Sequence, residues 1–145
     1  MNIPRSLVFA LALAVLTTAG AAAAEVKAPK ISVELLAEHT ALVPGQSTTL
    51  AVAFKIQPDW HIYWINHGEG GMPPEFAWQL PPGYAVGPMR FPAPKRHVEK
   101  EADVHTFILE GEPTFLTELS VPASAKAGEK ITLGVKVSWL ACKEI

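Results

Sequence analysis

Leu50-Ala51-Val52-Ala53-Phe54-Lys55-Ile56 decides how this chain is read: large apolar side chains at 50, 52, 54 and 56 alternate with small or charged ones. A period of two puts one set on one face of an extended strand, whereas a helix needs apolar positions three and four apart. The same alternation appears upstream, where Ile31, Val33 and Leu35 alternate with Ser32 and Glu34 before the turn signal Pro44-Gly45-Gln46-Ser47. Gln57-Pro58-Asp59 closes the 50–56 run. The next run puts Trp60, Ile62 and Trp64 on one side and His61, Tyr63 and Ile65 on the other, so both of its faces look occupied.

Further on, a glycine-rich stretch from Asn66 to Pro74 leads into a short strand with Phe76, Trp78 and Leu80 inward, ended by Pro81-Pro82-Gly83. Prolines at 88, 92 and 94 lack a backbone donor and permit only an edge strand or extended loop from Gly87 to Arg96. Strand character returns at Val104 to Leu109, turns at Gly111-Glu112-Pro113, and resumes with Phe115, Thr117, Leu119 and Val121. After a loop from Pro122 to Glu129, a last run sets Ile131, Leu133, Val135, Val137 and Trp139 inward. Seven or eight short strands and no convincing helix predict an all-β, immunoglobulin-like antiparallel β-sandwich.

The N-terminus has a different character. Arg5, the apolar run Leu7 to Leu16 and Ala22-Ala23-Ala24 before Glu25 match the three parts of a secretory signal peptide over residues 1–24. The run of ten apolar residues falls short of the roughly 20 that a membrane-crossing helix needs. Residues 25–145 then form one β-sandwich domain, exported to an oxidising compartment. Without Arg5, 11 of the 12 Lys and Arg stand against 14 Asp and Glu, a net charge of −3, with no basic cluster beyond Lys95-Arg96. Nucleic acid is not an expected partner.

Only one cysteine is present, Cys142, within Trp139-Leu140-Ala141-Cys142-Lys143-Glu144-Ile145. A free cysteine packs well as a small hydrophobe, yet in an oxidising compartment an unpaired thiol is also a candidate for exchange chemistry. Lys143 favours its thiolate and Glu144 opposes it. His61, His67, Met72 and Cys142, with His97 and His105, offer ligand types that copper accepts, although their spacing fits no compact metal motif. Trp60, Tyr63, Trp64 and Trp78 suit a sugar-stacking platform, but alternation turns the three tryptophans inward, which favours core packing. No Gly-x-Ser-x-Gly elbow, phosphate loop or His-Glu-x-x-His helix is present, so a hydrolase or nucleotide-using enzyme has no residues to name.

Four segments carry a family resemblance: Pro58-Asp59-Trp60-His61-Ile62-Tyr63-Trp64, Trp78-Gln79-Leu80-Pro81-Pro82-Gly83-Tyr84, Phe91-Pro92-Ala93-Pro94, and Trp139 to Ile145. From about Ile31 onward the chain resembles the N-terminal periplasmic domain of the DsbD/ScsB thiol:disulfide interchange proteins. The resemblance implies an immunoglobulin-like fold, no cofactor, and Cys142 as the first member of a Cys-x-x-x-Cys pair whose second cysteine would follow Ile145. It also implies partners: a membrane-embedded redox domain that supplies electrons and thioredoxin-like periplasmic proteins. Membrane contact is implied only through a further C-terminal region.

With Cys142 alone, attack on a partner disulfide would stall as a mixed disulfide, because no second thiol resolves it. The 145 residues therefore read as an incomplete copy of the domain or part of a longer protein. The family also implies a cap loop over the cysteines, whose counterpart by order along the chain is His97 to Asp103, centred on Glu99, Lys100, Glu101 and Ala102. An ordinary solvated, charged turn explains the same residues.

Overall fold

The computed structural model describes residues 30–143; the expected signal peptide and Glu144-Ile145 lie outside them. Ten strands and no helix form among the described residues: β1 (Ile31–Ala37), β2 (Ser47–Ile56), β3 (Trp60–Gly68), β4 (Glu75–Gln79), β5 (Ala85–Val86), β6 (Lys95–Glu99), β7 (Val104–Leu109), β8 (Thr114–Ser120), β9 (Gly134–Ser138) and β10 (Ala141–Lys143). They pair antiparallel into sheets ordered β1-β2-β8-β5 and β10-β3-β7-β6, with β4-β9 as a separate ribbon. The architecture is the immunoglobulin-like sandwich that the alternation predicts.

Its core follows from that alternation. Val52, Phe54 and Ile56 of β2 meet Ile62 of β3, Leu109 of β7 and Phe115 of β8 in one buried cluster. Phe115 is fully buried and its ring centroid lies 5.2 Å from Phe54, 5.2 Å from Phe76 and 4.9 Å from Phe91. One side chain thus ties the first sheet to the β4-β9 ribbon and to the proline-rich segment, through tilted and edge-on ring contacts that add to area burial. Trp60, Trp64 and Trp78 pack against the same cluster, so the tryptophans of the candidate sugar platform belong to the core. The Trp64 indole N–H also donates to the Pro92 carbonyl at 2.8 Å, satisfying its polar atom within the packed layer.

Between Gly87 and Arg96 the chain stays at the sheet edge, as its prolines require. It touches β8 through Gly87 N–H to Glu118 O at 2.9 Å and an isolated Arg90–Leu116 bridge. The turn before β3 places Asp59 in the left-handed region with φ 67°, a conformation that Asp tolerates better than most residues.

Three sequence boundaries are corrected. The run from Trp60 does not end at Ile65: β3 continues through Asn66 and His67 to Gly68, and its register with β7 shifts between Tyr63 and Gly68. An irregularity of this kind lets polar residues stay in a strand while bending it. The last run is not one strand. Ile131 and Leu133 precede β9 and line an open groove of about 690 Å³ with Leu35, Leu42, Leu50 and Tyr84, so their alternation reflects one-sided burial without strand pairing. After Trp139-Leu140 the chain leaves β4 and starts the new strand β10 on β3, which brings the strand total above the expected seven or eight.

Replacing Phe115 by alanine is expected to cost about 3–5 kcal/mol, because it removes the ring that three segments share. The denaturant midpoint of the purified domain measures this; a loss below about 1 kcal/mol would contradict the shared-core account.

Candidate functional site

Cys142 is carried by the shortest route the fold offers, a three-residue edge strand. β10 pairs with β3 so that Ala141 faces Ile62, Cys142 faces His61 and Lys143 faces Trp60. Directly opposed residues of an antiparallel pair point to the same side of the sheet. Ala141 therefore joins the core with Ile62, and Cys142 shares the outer face with His61 and, two residues on, Tyr63.

That outer face is not open to water. His61 retains 4% and Tyr63 8% of their accessible surface, and Ile108 and Thr106 of β7 are also buried. Cover comes from two segments. The loop after β3 folds back so that a β-carbon on Gly70 would lie 3.6 Å from Thr106 Cγ2 and Gly71 lies against the Tyr63 ring. Gly71 has φ 89°, and a β-carbon there would collide with Tyr63 Cδ1, so only glycine fits this strap. The second cover is β6: its His97 ring lies 5.6 Å from the His61 ring at an interplanar angle of 33°.

Strap and hairpin are tied together at their roots. Glu69 N–H donates to His105 O at 3.0 Å, and His105 N–H donates to Glu69 Oε2 at 2.7 Å. Arg96 donates to His105 Nδ1 at 2.6 Å, which fixes the tautomer, because an arginine can only donate; His105 Nε2–H then donates to Asp103 Oδ1 at 3.2 Å. His67 Nδ1–H closes the strap by donating to Gly70 O at 3.2 Å.

At the centre, Tyr63 lies on the same face as Cys142, and His61 Nε2 lies 3.4 Å from the Tyr63 hydroxyl. Burial pushes the Tyr63 phenol well above its ordinary value, with further upward contributions from the Cys142 hydrogen bond, the Cys142 charge and the Glu99 charge. Tyr63 therefore stays a neutral O–H group next to the thiol. Cys142 itself is a free, half-buried cysteine.

The residues singled out from the sequence are thus partly gathered. Cys142 and His61 come together on the outer face. His67 turns to the strap backbone, and Met72 is an exposed strap residue at 61%. No grouping of three or more His, Cys, Asp or Glu side chains among the described residues could hold a metal ion. Of the expected cap segment, Glu99 is the last residue of β6, paired with Val104, and Lys100 to Asp103 form the hairpin turn. Sequence reasoning placed Tyr63 in an aromatic group and a family segment and grouped His97 with the thiol only as a copper-ligand type, without setting Tyr63 beside Cys142 or the His97 ring against His61. Its alternation opposite the core residues Trp60, Ile62 and Trp64 was the available signal.

A family model described as "Thiol:disulfide interchange protein DsbD, N-terminal" matches residues 32–145. A search of curated proteins found no match. Among solved structures, the N-terminal periplasmic domain of ScsB from Proteus mirabilis is similar, with a TM-score of 0.55 and 23% identity over 79% of this chain. The matched part is 41% of the length of that chain. At this identity the structural likeness concerns the fold.

The direction of the Tyr63 shift gives a pH prediction. The folded protein holds the phenolic proton more tightly than the unfolded chain, in which tyrosine ionises near about 10. Stability is therefore full below that pH and falls as the pH rises through it. Thermal melts between about pH 8 and about pH 11 are expected to show a steeper alkaline loss for wild type than for Tyr63→Phe; parallel curves would remove Tyr63 as the buried phenol responsible.

Proposed function

The chain belongs to the family of DsbD N-terminal thiol:disulfide interchange domains, and from that premise we propose that it is a periplasmic redox module in which Cys142 exchanges with disulfides of partner proteins. The observation that carries the reading is the placement of the chain's one thiol. An edge strand holds Cys142 half-buried on the outer face, opposite His61 and beside Tyr63, the two rings that the covering segments rest on. A cysteine kept only for packing has its natural place in the inner layer, which Ala141 occupies instead.

Exchange begins when the Cys142 thiolate attacks one sulfur of a disulfide and expels the other as a thiolate. The partners in this reading are thioredoxin-like periplasmic proteins on one side and a membrane-embedded redox domain on the other. The domain needs no cofactor for this, since sulfur itself carries the electrons. Within residues 1–145 the product is a mixed disulfide with no further cysteine to resolve it.

The β6–β7 hairpin, with Glu99, Lys100, Glu101 and Ala102 at its tip, acts in this reading as a cap that shields the thiol until a partner displaces it. The His97–His61 ring contact and the influence of Glu99 on Tyr63 support that role.

Incubating the reduced chain with an oxidised thioredoxin-like domain is expected to give a mixed disulfide on a non-reducing gel, absent with Cys142→Ser; no adduct from the folded wild type would overturn the reading. Replacing Lys100-Glu101-Ala102 by a two-residue Asn-Gly turn is expected to speed alkylation of Cys142 at least about threefold, and an unchanged rate would remove the cap.

A further inference from the structure

β1 ends the sheet β1-β2-β8-β5, and among the described residues no strand pairs with its other edge. The other edges of the two four-stranded sheets are shorter: β5 has two residues, β10 three, and β6 five that include Lys95, Arg96 and Glu99. Short or charged edges resist the addition of a further strand. β1 has seven residues, and its last three, Leu35-Leu36-Ala37, carry no charge. All three line the open groove of about 690 Å³. Successive residues of a strand point to opposite faces, so a groove that touches all three reaches around the edge itself.

The ladder with β2 fixes which backbone groups face that edge. Gln57 N–H donates to Lys30 O at 3.0 Å and Glu38 N–H donates to Thr49 O at 3.0 Å, one at each end of the β1–β2 register. Opposed residues of an antiparallel pair alternate between hydrogen-bonded and non-hydrogen-bonded. The even-numbered residues of β1 therefore bond to β2, and the odd-numbered ones turn N–H and C=O to the open edge. Leu35 and Ala37 present these donors and acceptors along the groove, while Leu35 packs its side chain toward the core. Across the groove, Lys130 to Leu133 lies outside every strand, although Ile131 and Leu133 are half-buried with Thr132 exposed between them.

We propose that this edge takes an extended segment of a partner protein as an added strand, with apolar side chains at alternate positions in the groove and acidic residues at its ends. The proposal stands apart from the chemistry of Cys142. Strand addition supplies main-chain hydrogen bonds and sends every second side chain into the groove. An acyl chain or other apolar ligand would cover the outward N–H and C=O groups of Leu35 and Ala37 without bonding to them, a cost that a peptide backbone avoids. The rim favours acidic ends, because His39, Lys126 and Lys130 line the groove against Glu129 alone. Glu34 and Glu38, the nearest carboxylates along β1 and its exit, lie outside the lining, and Glu38 accepts a hydrogen bond from Thr49 N–H at 3.3 Å. Leu36, 43% exposed on the other side of the edge, gains cover from the opposite face of the added strand.

The test is amide hydrogen exchange of the full chain, followed by NMR, with the acetylated and amidated peptide Glu-Val-Thr-Leu-Thr-Val-Glu at up to about 1 mM. The amides of Leu35 and Ala37 are expected to exchange at least about fivefold more slowly with the peptide bound, while those of Leu36 and Glu38, already bonded to β2, change little. The same peptide with lysine in place of both glutamates is expected to bind at least about threefold more weakly, and equal affinity would overturn the acidic partner. Ala37→Pro removes an outward donor without touching the ladder to β2; it is expected to keep the fold and weaken the peptide at least about tenfold. No binding to wild type, groove shifts without protection of the two amides, or undiminished binding to folded Ala37→Pro would overturn the proposal. Protection that grows with protein concentration before any peptide is added would assign the edge to a second copy of the chain and overturn it too. Should Ala37→Pro fail to fold, the wild-type amides decide the outcome.

Discussion

Strand β3 is buried on both faces, and that constraint organises the molecule. Trp60, Ile62 and Trp64 belong to the inner layer, while His61 and Tyr63 are buried on the outer one. Most strands of an antiparallel sandwich expose one face to water. Here the outer face has to be covered, and the cover encloses two polar rings, which meet edge-on with His61 Nε2 3.4 Å from the Tyr63 hydroxyl.

The rest of the site follows from how that cover is built. The register shift after Tyr63 bends β3 and returns the chain across its own outer face, where Gly71 is small enough to lie against the phenol. Glu69 and His105 then exchange two hydrogen bonds, so the strap cannot lift without disturbing the start of β7. Because among the described residues β6 pairs only with β7, the hairpin is the peripheral part of its sheet and the part that can yield at least cost to the core. Cys142 sits at the other edge, on a strand of three residues. The thiol is thus held between a rigid centre and two edges, an arrangement suited to chemistry that must stay shielded until a partner docks.

Much of the fold was legible because one-sided burial leaves a period of two. β2 reads cleanly, since Leu50, Val52, Phe54 and Ile56 all face the interior and are all buried. The same rule failed at Ile131 and Leu133, which are half-covered along a groove without pairing to a neighbour. It also failed at Asn66 and His67, whose polarity suggests a loop although the backbone still belongs to a bent strand. β10 left no periodic signal, because three residues are too few to alternate. Cys142 itself was legible from its segment and the family resemblance. Its place beside Tyr63 was not, since that depends on the register between strands about 80 positions apart in sequence.

The central claim is that β10 seats Cys142 on the outer face of β3 against Tyr63. Nuclear Overhauser spectroscopy on the isotopically labelled, reduced protein measures this most directly. The account predicts cross-peaks from the Cys142 β-protons to the Tyr63 ring, together with cross-strand contacts between the backbones of Cys142 and His61. A Cys142 that shows neither, with an amide exchanging at the rate of an unstructured chain end, would contradict it.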